Sequence, residues 1–99
     1  MFVCTWEYLV PDDRVTEFRE VYDPEGPWVE LSNKNRGYVR TDLLADLNNP
    51  GRFISTDFWD SRQDWENMKK EHAAEYHRID QAAERLTQNE RFVGFFQVC

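Results

Sequence analysis

Two cysteines, two histidines and four glycines are all that the 99 residues hold of these types, and each shortage closes a class of function. Cys4 and Cys99 are too few for the disulfide framework of a small secreted domain, and they read as reduced thiols. The glycines stand singly, so there is no Gly-rich loop to cradle a phosphate. There is no CxxC or HExxH motif, and Glu71, His72 and Glu75 make only a loose set of donors, so no metal site is expected. No apolar run is long enough to span a bilayer, and no charged stretch leading into an apolar one opens the chain. A cytoplasmic protein is therefore expected. Positive charge is scarce as well: 12 Lys and Arg face 19 Asp and Glu, a net charge of −7. That sign repels nucleic acid and acidic membrane surfaces, so neither is expected as a partner.

What the chain does have is rings. Aromatic residues make up 15% of it and hydrophobic residues 40%, which excludes a disordered class. Residues 1–99 fit one domain, and a chain this short buries only about two thirds of its unfolded surface. Its rings are therefore either a dense core or the lining of a pocket.

The chain is organised around RFISTDFWDSRQDWENM, Arg52–Met68. Phe53, Ser55, Asp57 and Trp59 point one way and Ile54, Thr56 and Phe58 the other, with the two-residue period of a strand. Ser61 then supplies a helix N-cap, Asp64 follows three residues later, and Trp65 and Met68 begin a helical stripe. Upstream, Phe2–Val10 alternates, with Phe2, Cys4, Trp6, Tyr8 and Val10 on one face and Val3, Thr5, Glu7 and Leu9 on the other. Pro11 ends that strand, Asp12 or Asp13 caps a helix carrying Val15, Phe18, Val21 and Tyr22, and Asp23-Pro24-Glu25-Gly26-Pro27 breaks it. A short helical turn at Trp28 and Leu31, a strand over Tyr38–Ala45 and a polar loop complete the first half.

A helical stretch runs from about Arg62 to Gln88, with Trp65, Met68, His72, Tyr76, Ile79, Ala83 and Leu86 three or four apart. Its length predicts a break near His72–Ala74. Arg91–Val98 closes the chain as a strand, with Phe92, Gly94, Phe96 and Val98 opposite Val93, Phe95 and Gln97.

This order predicts an α+β ferredoxin-like split βαβ sandwich, βαββαβ, with a four-stranded antiparallel sheet and its helices on one face. Val3, Leu9, Val39, Leu43, Ile54, Phe58, Val93 and Phe95 then fall on the bare face, a larger apolar patch than a monomer usually tolerates. A homodimer with its sheets face to face is expected.

Asp57 stands out among candidate sites. A carboxylate in an aromatic strand must reach solvent, meet a cation such as Arg40 or Arg52, or accept hydrogen bonds. It reads either as a general base in a cavity or as a structural acid fixing the following turn. Trp6, Trp28, Trp59 and Trp65 suit stacking on a planar substrate, or plain core packing, and their indole N–H groups imply a polar recess. Tyr22, Tyr38 and Tyr76 can hydrogen-bond a phenol or quinone, or lie at the rim. His72 shares a predicted helix face with Trp65 and Tyr76 and reads as a proton shuttle or a structural residue, while His77 lies on another face.

A set of short motifs runs along the chain: Tyr22-Asp23-Pro24-Glu25-Gly26-Pro27-Trp28 with Leu31, Gly37-Tyr38 with Thr41-Asp42-Leu43-Leu44, and Asp57-Phe58-Trp59-Asp60-Ser61. Glu71-His72 with Tyr76, and Glu90 with Gly94-Phe95-Phe96, complete it. In these the chain resembles the dimeric α/β-barrel proteins grouped with the antibiotic biosynthesis monooxygenases, and the resemblance carries the expectations that follow. It implies a barrel of two ferredoxin-like subunits, each with a cavity between its sheet and its own helices. It also implies a cofactor-independent monooxygenase acting on a small aromatic substrate, whose carbanion supplies electrons to oxygen. Asp57 and His72 would then be catalytic, and Trp6, Tyr22, Trp28, Trp59, Trp65 and Tyr76 would hold the substrate.

A non-catalytic dimeric ligand-binding or accessory protein is the alternative, and haem binding a third reading. Haem-degrading relatives use an Asn on the first strand with a Trp and a His on the long helix. Trp6-Glu7, Met68 and Arg78 stand near those positions here, with His77 beside the last.

Overall fold

The alternating segment Phe2–Leu9 forms strand β1 in the computed structural model, which describes residues 1–99. Pro11 ends it, and a single 3-10 turn, Asp12–Arg14, leads into helix α1, Val15–Tyr22. Pro27 opens α2, Pro27–Asn33, where its missing N–H costs nothing. Strands β2, Tyr38–Ala45, and β3, Arg52–Trp59, form the hairpin. Ser61 caps α3, Arg62–Glu71, by accepting from Asp64 N at 3.2 Å, and its hydroxyl donates to the Asp64 carboxylate at 2.9 Å. The expected break falls at His72, whose N–H closes α3 on Met68 O and whose carbonyl accepts from Tyr76 N in the next helix. Helix α4, Ala73–Glu84, stops four residues short of the expected end, and β4 covers Asn89–Gln97.

The sheet is antiparallel in the order β2-β3-β1-β4, the ferredoxin-like arrangement, with the helices on one face. Beneath them, Tyr8, Val10, Phe18, Tyr22, Phe53 and Ala83 form one core cluster and Leu31, Trp59, Met68 and Ile79 a second, with Trp28 packed against both.

Both edge strands are bulged. In β2 the register jumps between Tyr38, opposite Trp59, and Arg40, opposite Phe58, so Val39 is the extra residue. In β4 it jumps between Gly94, opposite Thr5, and Phe92, opposite Trp6, so Val93 is extra. A bulge breaks the two-residue alternation and turns residues three apart to the same face. Tyr38 and Thr41 thus both face the helices, as do Phe92 and Phe95, whose rings lie 4.8 Å apart.

The expected bare face is corrected accordingly. Phe95 belongs to the helix side, where it meets Phe2 at 5.2 Å and Trp65 at 5.1 Å, and Phe96 takes its place on the open face. Leu43 also lies on the helix side, packed against the first cluster. The open face carries Val3, Leu9, Leu44, Ile54, Phe58 and Phe96, interrupted by polar groups. Arg40 lies over Phe58 at 4.1 Å, and Glu7 pairs with both Arg52 at 2.7 Å and Arg91 at 3.0 Å.

Candidate functional site

Between the two core clusters the sheet and helices do not close. They leave a cavity of about 240 Å3. Its floor is the sheet: Cys4, Trp6 and Tyr8 of β1, Thr41 of β2, Ser55, Asp57 and Trp59 of β3, and Glu90 of β4. Its roof is Tyr22 of α1, Trp28 and Ser32 of α2, Trp65, Met68 and Lys69 of α3, and Tyr76 and Asp80 of α4. The strand periods put the floor residues on one face, and the break at His72 turns α4 so that Tyr76 reaches the same space.

Asp57 sits at the bottom. Its Oδ1 accepts a 2.6 Å hydrogen bond from Thr41 Oγ1, directly across the β2–β3 ladder. Neither expected cation reaches it: Arg40 pairs with Asp42, and Arg52 with Glu7 and Asp46. Burial therefore dominates and lifts the Asp57 carboxyl to about 6, against the lowering effect of the Thr41 hydroxyl. Oδ2 takes no hydrogen bond from the protein and opens onto the cavity. A carboxyl with a free oxygen and a midpoint near neutrality is equipped to accept a proton from a bound molecule.

The walls are aromatic. Trp28 meets Tyr76 edge-on at 5.0 Å, and Trp6 meets Phe92 in the same way at 5.1 Å. Tyr22 stacks on Phe18 at 4.5 Å. Burial raises the Tyr8 and Tyr22 phenols far above their usual range and takes Tyr76 to about 12, so all three hydroxyls stay protonated. Burial, then the Asp57 charge, pushes the Cys4 thiol up to about 12, which leaves it a neutral wall group rather than a nucleophile. Lys69 is the one cation of the lining, held 4.8 Å from the Trp65 ring centre and 5.1 Å from that of Tyr76, with no carboxylate partner. Trp28 Nε1 is buried without a hydrogen-bond partner.

All six expected substrate-holding residues, Trp6, Tyr22, Trp28, Trp59, Trp65 and Tyr76, line this cavity, and so does Asp57. His72 does not: the helix break turns it into the junction between α3 and α4, outside the lining. His77 is exposed on α4, and no histidine borders the cavity. Glu71, His72 and Glu75 do not gather as a metal-holding group. Sequence reasoning missed Lys69 and Thr41. Lys69 stands four residues after Trp65 within α3, one helical turn on, and so shares its face; Thr41 comes to Asp57 through the β2–β3 hairpin register, which alternation within one strand does not give.

Solved structures match this fold closely in shape and weakly in sequence. A candidate antibiotic biosynthesis monooxygenase from Nitrosomonas europaea has a TM-score of 0.76 at 21% identity, over 99% of this chain and 98% of the other. SnoaB, a cofactor-independent oxygenase from Streptomyces nogalater, has a TM-score of 0.77 at 14% identity, over 99% and 92%. A conserved protein from Methanosarcina mazei has 0.78 at 12%, over 97% and 90%. No curated protein matches the sequence. The family model for antibiotic biosynthesis monooxygenase matches residues 1–79, from β1 through most of α4, and the chain belongs to that family.

Proposed function

We propose that the protein is a cofactor-independent oxygenase that works on a small hydroxylated aromatic molecule bound between sheet and helices. The observation that carries this reading is the Asp57 carboxyl, with one free oxygen at the floor of a cavity walled by tryptophan and tyrosine. At about 240 Å3 the space falls just below the roughly 300–1,000 Å3 of ordinary ligand clefts, which suits one or two fused rings. Asp57 Oδ2 takes the proton, and the charge left on the substrate spreads over its rings. That anion gives electrons to oxygen; a ring C–H ortho or para to the ionised hydroxyl becomes a carbonyl, so that the ring leaves as a quinone, and one O2 is consumed with release of one water. Family membership and the likeness to SnoaB support the chemistry.

A second copy of the chain covers the open sheet face in this reading. Leu44, at 54% exposure, and Phe96, at 51%, supply apolar contact, and the Glu7 pairs supply complementary charge. The two unpaired thiols, Cys4 and Cys99, fit a reducing, cytoplasmic setting. No helix is long and apolar enough to cross a membrane.

The test is oxygen uptake with a panel of dihydroxynaphthalenes, alongside quenching of tryptophan fluorescence. Uptake that disappears in Asp57→Asn while quenching persists supports the enzyme. Quenching without uptake in the native protein points instead to a ligand carrier, and absence of both overturns the reading.

A further inference from the structure

We propose that Tyr38 and Thr41 are positioning residues for Asp57, and that the β2 bulge exists to bring them into line. They hold Oδ1 and so aim Oδ2 at the cavity. The inference rests on the reading of Asp57 as the proton acceptor, and adds what governs that acceptor.

The hydrogen positions follow from counting. Thr41 Oγ1 has a single hydrogen, which it donates to Asp57 Oδ1 at 2.6 Å. The hydrogen in the 2.7 Å contact between Tyr38 Oη and Thr41 Oγ1 therefore comes from the phenol. Two O–H groups point in series at one carboxylate oxygen, and each strengthens the next. Thr41 is buried and cannot swing to water, while the partly exposed Tyr38 is held edge-on against the Trp59 ring at 5.3 Å. With Oδ1 engaged this way, the carboxyl plane is fixed and only Oδ2 is open to a ligand.

The line cannot form in a regular strand. Residues 38 and 41 are three apart, so simple alternation sends them to opposite faces. The extra residue, Val39, cancels one alternation and puts both hydroxyls on the helix side. Gly37, at φ +87°, stands just before the strand, where a side chain would collide with the Asp64 carboxylate, so the entry to the bulge is built for glycine. Cys4 and Tyr8 of β1, Tyr22 of α1, Lys69 of α3, Tyr76 and Asp80 of α4 and Glu90 of β4 share the cavity with Asp57, and its charge reaches Cys4, Tyr8, Tyr38 and Tyr76, but only Thr41 hydrogen-bonds it.

The test reads the carboxyl itself, in 13C-aspartate-labelled protein without ligand, with the Asp57 resonance identified by its loss in Asp57→Asn. Thr41→Val keeps the shape and removes the hydroxyl, and it raises the Asp57 midpoint by about one pH unit. Tyr38→Phe raises it by less, and Thr41→Ser restores the native value. In turnover, Thr41→Val and Tyr38→Phe lower kcat with KM nearly unchanged and move the acidic limb of the rate profile to higher pH. Midpoints unmoved in both Thr41→Val and Tyr38→Phe overturn the inference, even if the protein is an oxygenase. A shift in Thr41→Val alone removes Tyr38 from it. Shifted midpoints in a protein that turns over no aromatic substrate leave the hydrogen-bonded line standing and defeat the oxygenase reading instead.

Discussion

The Lys69 ammonium lies 4.8 Å from the centre of the Trp65 indole, in the roof of the cavity that Asp57 lines from the sheet. The roof therefore offers a donor, from Lys69, and the floor offers an acceptor. A ligand that carries both a hydroxyl and an acceptor oxygen satisfies both. Lys69→Met keeps the length of the side chain and removes its charge. It should weaken binding of a hydroxynaphthyl ketone roughly tenfold, from the loss of about 1.5 kcal/mol, and leave naphthol binding nearly unchanged. Fluorescence titration measures both.

Asp57 costs the fold stability. Its carboxyl is raised from 3.8 to about 6 by burial, so the folded chain holds a proton that the unfolded chain has released across that window. Stability then falls as pH rises from about 4 to 6, and the penalty is complete above it. Asp57→Asn should stabilise the protein at pH 8 by about 1–3 kcal/mol and by little at pH 4. Urea unfolding at the two pH values checks this; an equal gain at both contradicts it.

Phe18 is the keystone of the first cluster, fully buried against Tyr8 at 5.3 Å, Tyr22 at 4.5 Å and Phe53 at 4.9 Å. Phe18→Ala should cost about 3–5 kcal/mol. That is a large part of the roughly 5–15 kcal/mol that holds a small domain. Thermal unfolding should show a collapse of Tm, and Tyr22, which lines the cavity from the same stack, should lose its place with it.

On the open sheet face the Glu7 carboxyl is held below its usual range by Arg91 first and Arg52 second. A depressed carboxylate stabilises above its unfolded midpoint and loses that contribution as pH falls through the folded one. If two copies meet on this face, Glu7→Gln leaves two arginines without their partner in the interface. Light scattering at micromolar concentration should find a dimer at pH 7 and weaker association in Glu7→Gln, or once the pH falls below the ordinary carboxylate range.

Local pattern carried most of the fold. Alternation in Phe2–Leu9 and Arg52–Trp59, the Ser61 cap and the break at His72 all follow from neighbours in sequence. Trp6, Trp59 and Trp65 line the cavity from the faces that their strand and helix periods dictate, whereas Tyr76 reaches it from beyond the helix break. What failed were features set by pairing between strands. The Val93 bulge depends on how an edge strand registers with its neighbour, and it turns Phe95 to the face that simple alternation denies it; Thr41 meets Asp57 through the β2–β3 register, which no pattern within its own strand reveals. His72 leaves the stripe that its spacing from Trp65 and Tyr76 suggests, because the helix stops at that residue.

The most direct measurement is a crystal structure of the protein soaked with a dihydroxynaphthalene. A ring lying between Trp28 and the sheet, with a hydroxyl oxygen within about 2.5–3.0 Å of Asp57 Oδ2, is the predicted result. An empty cavity with the ligand on the outer sheet face, or a ring in the cavity with no oxygen near Asp57, contradicts it.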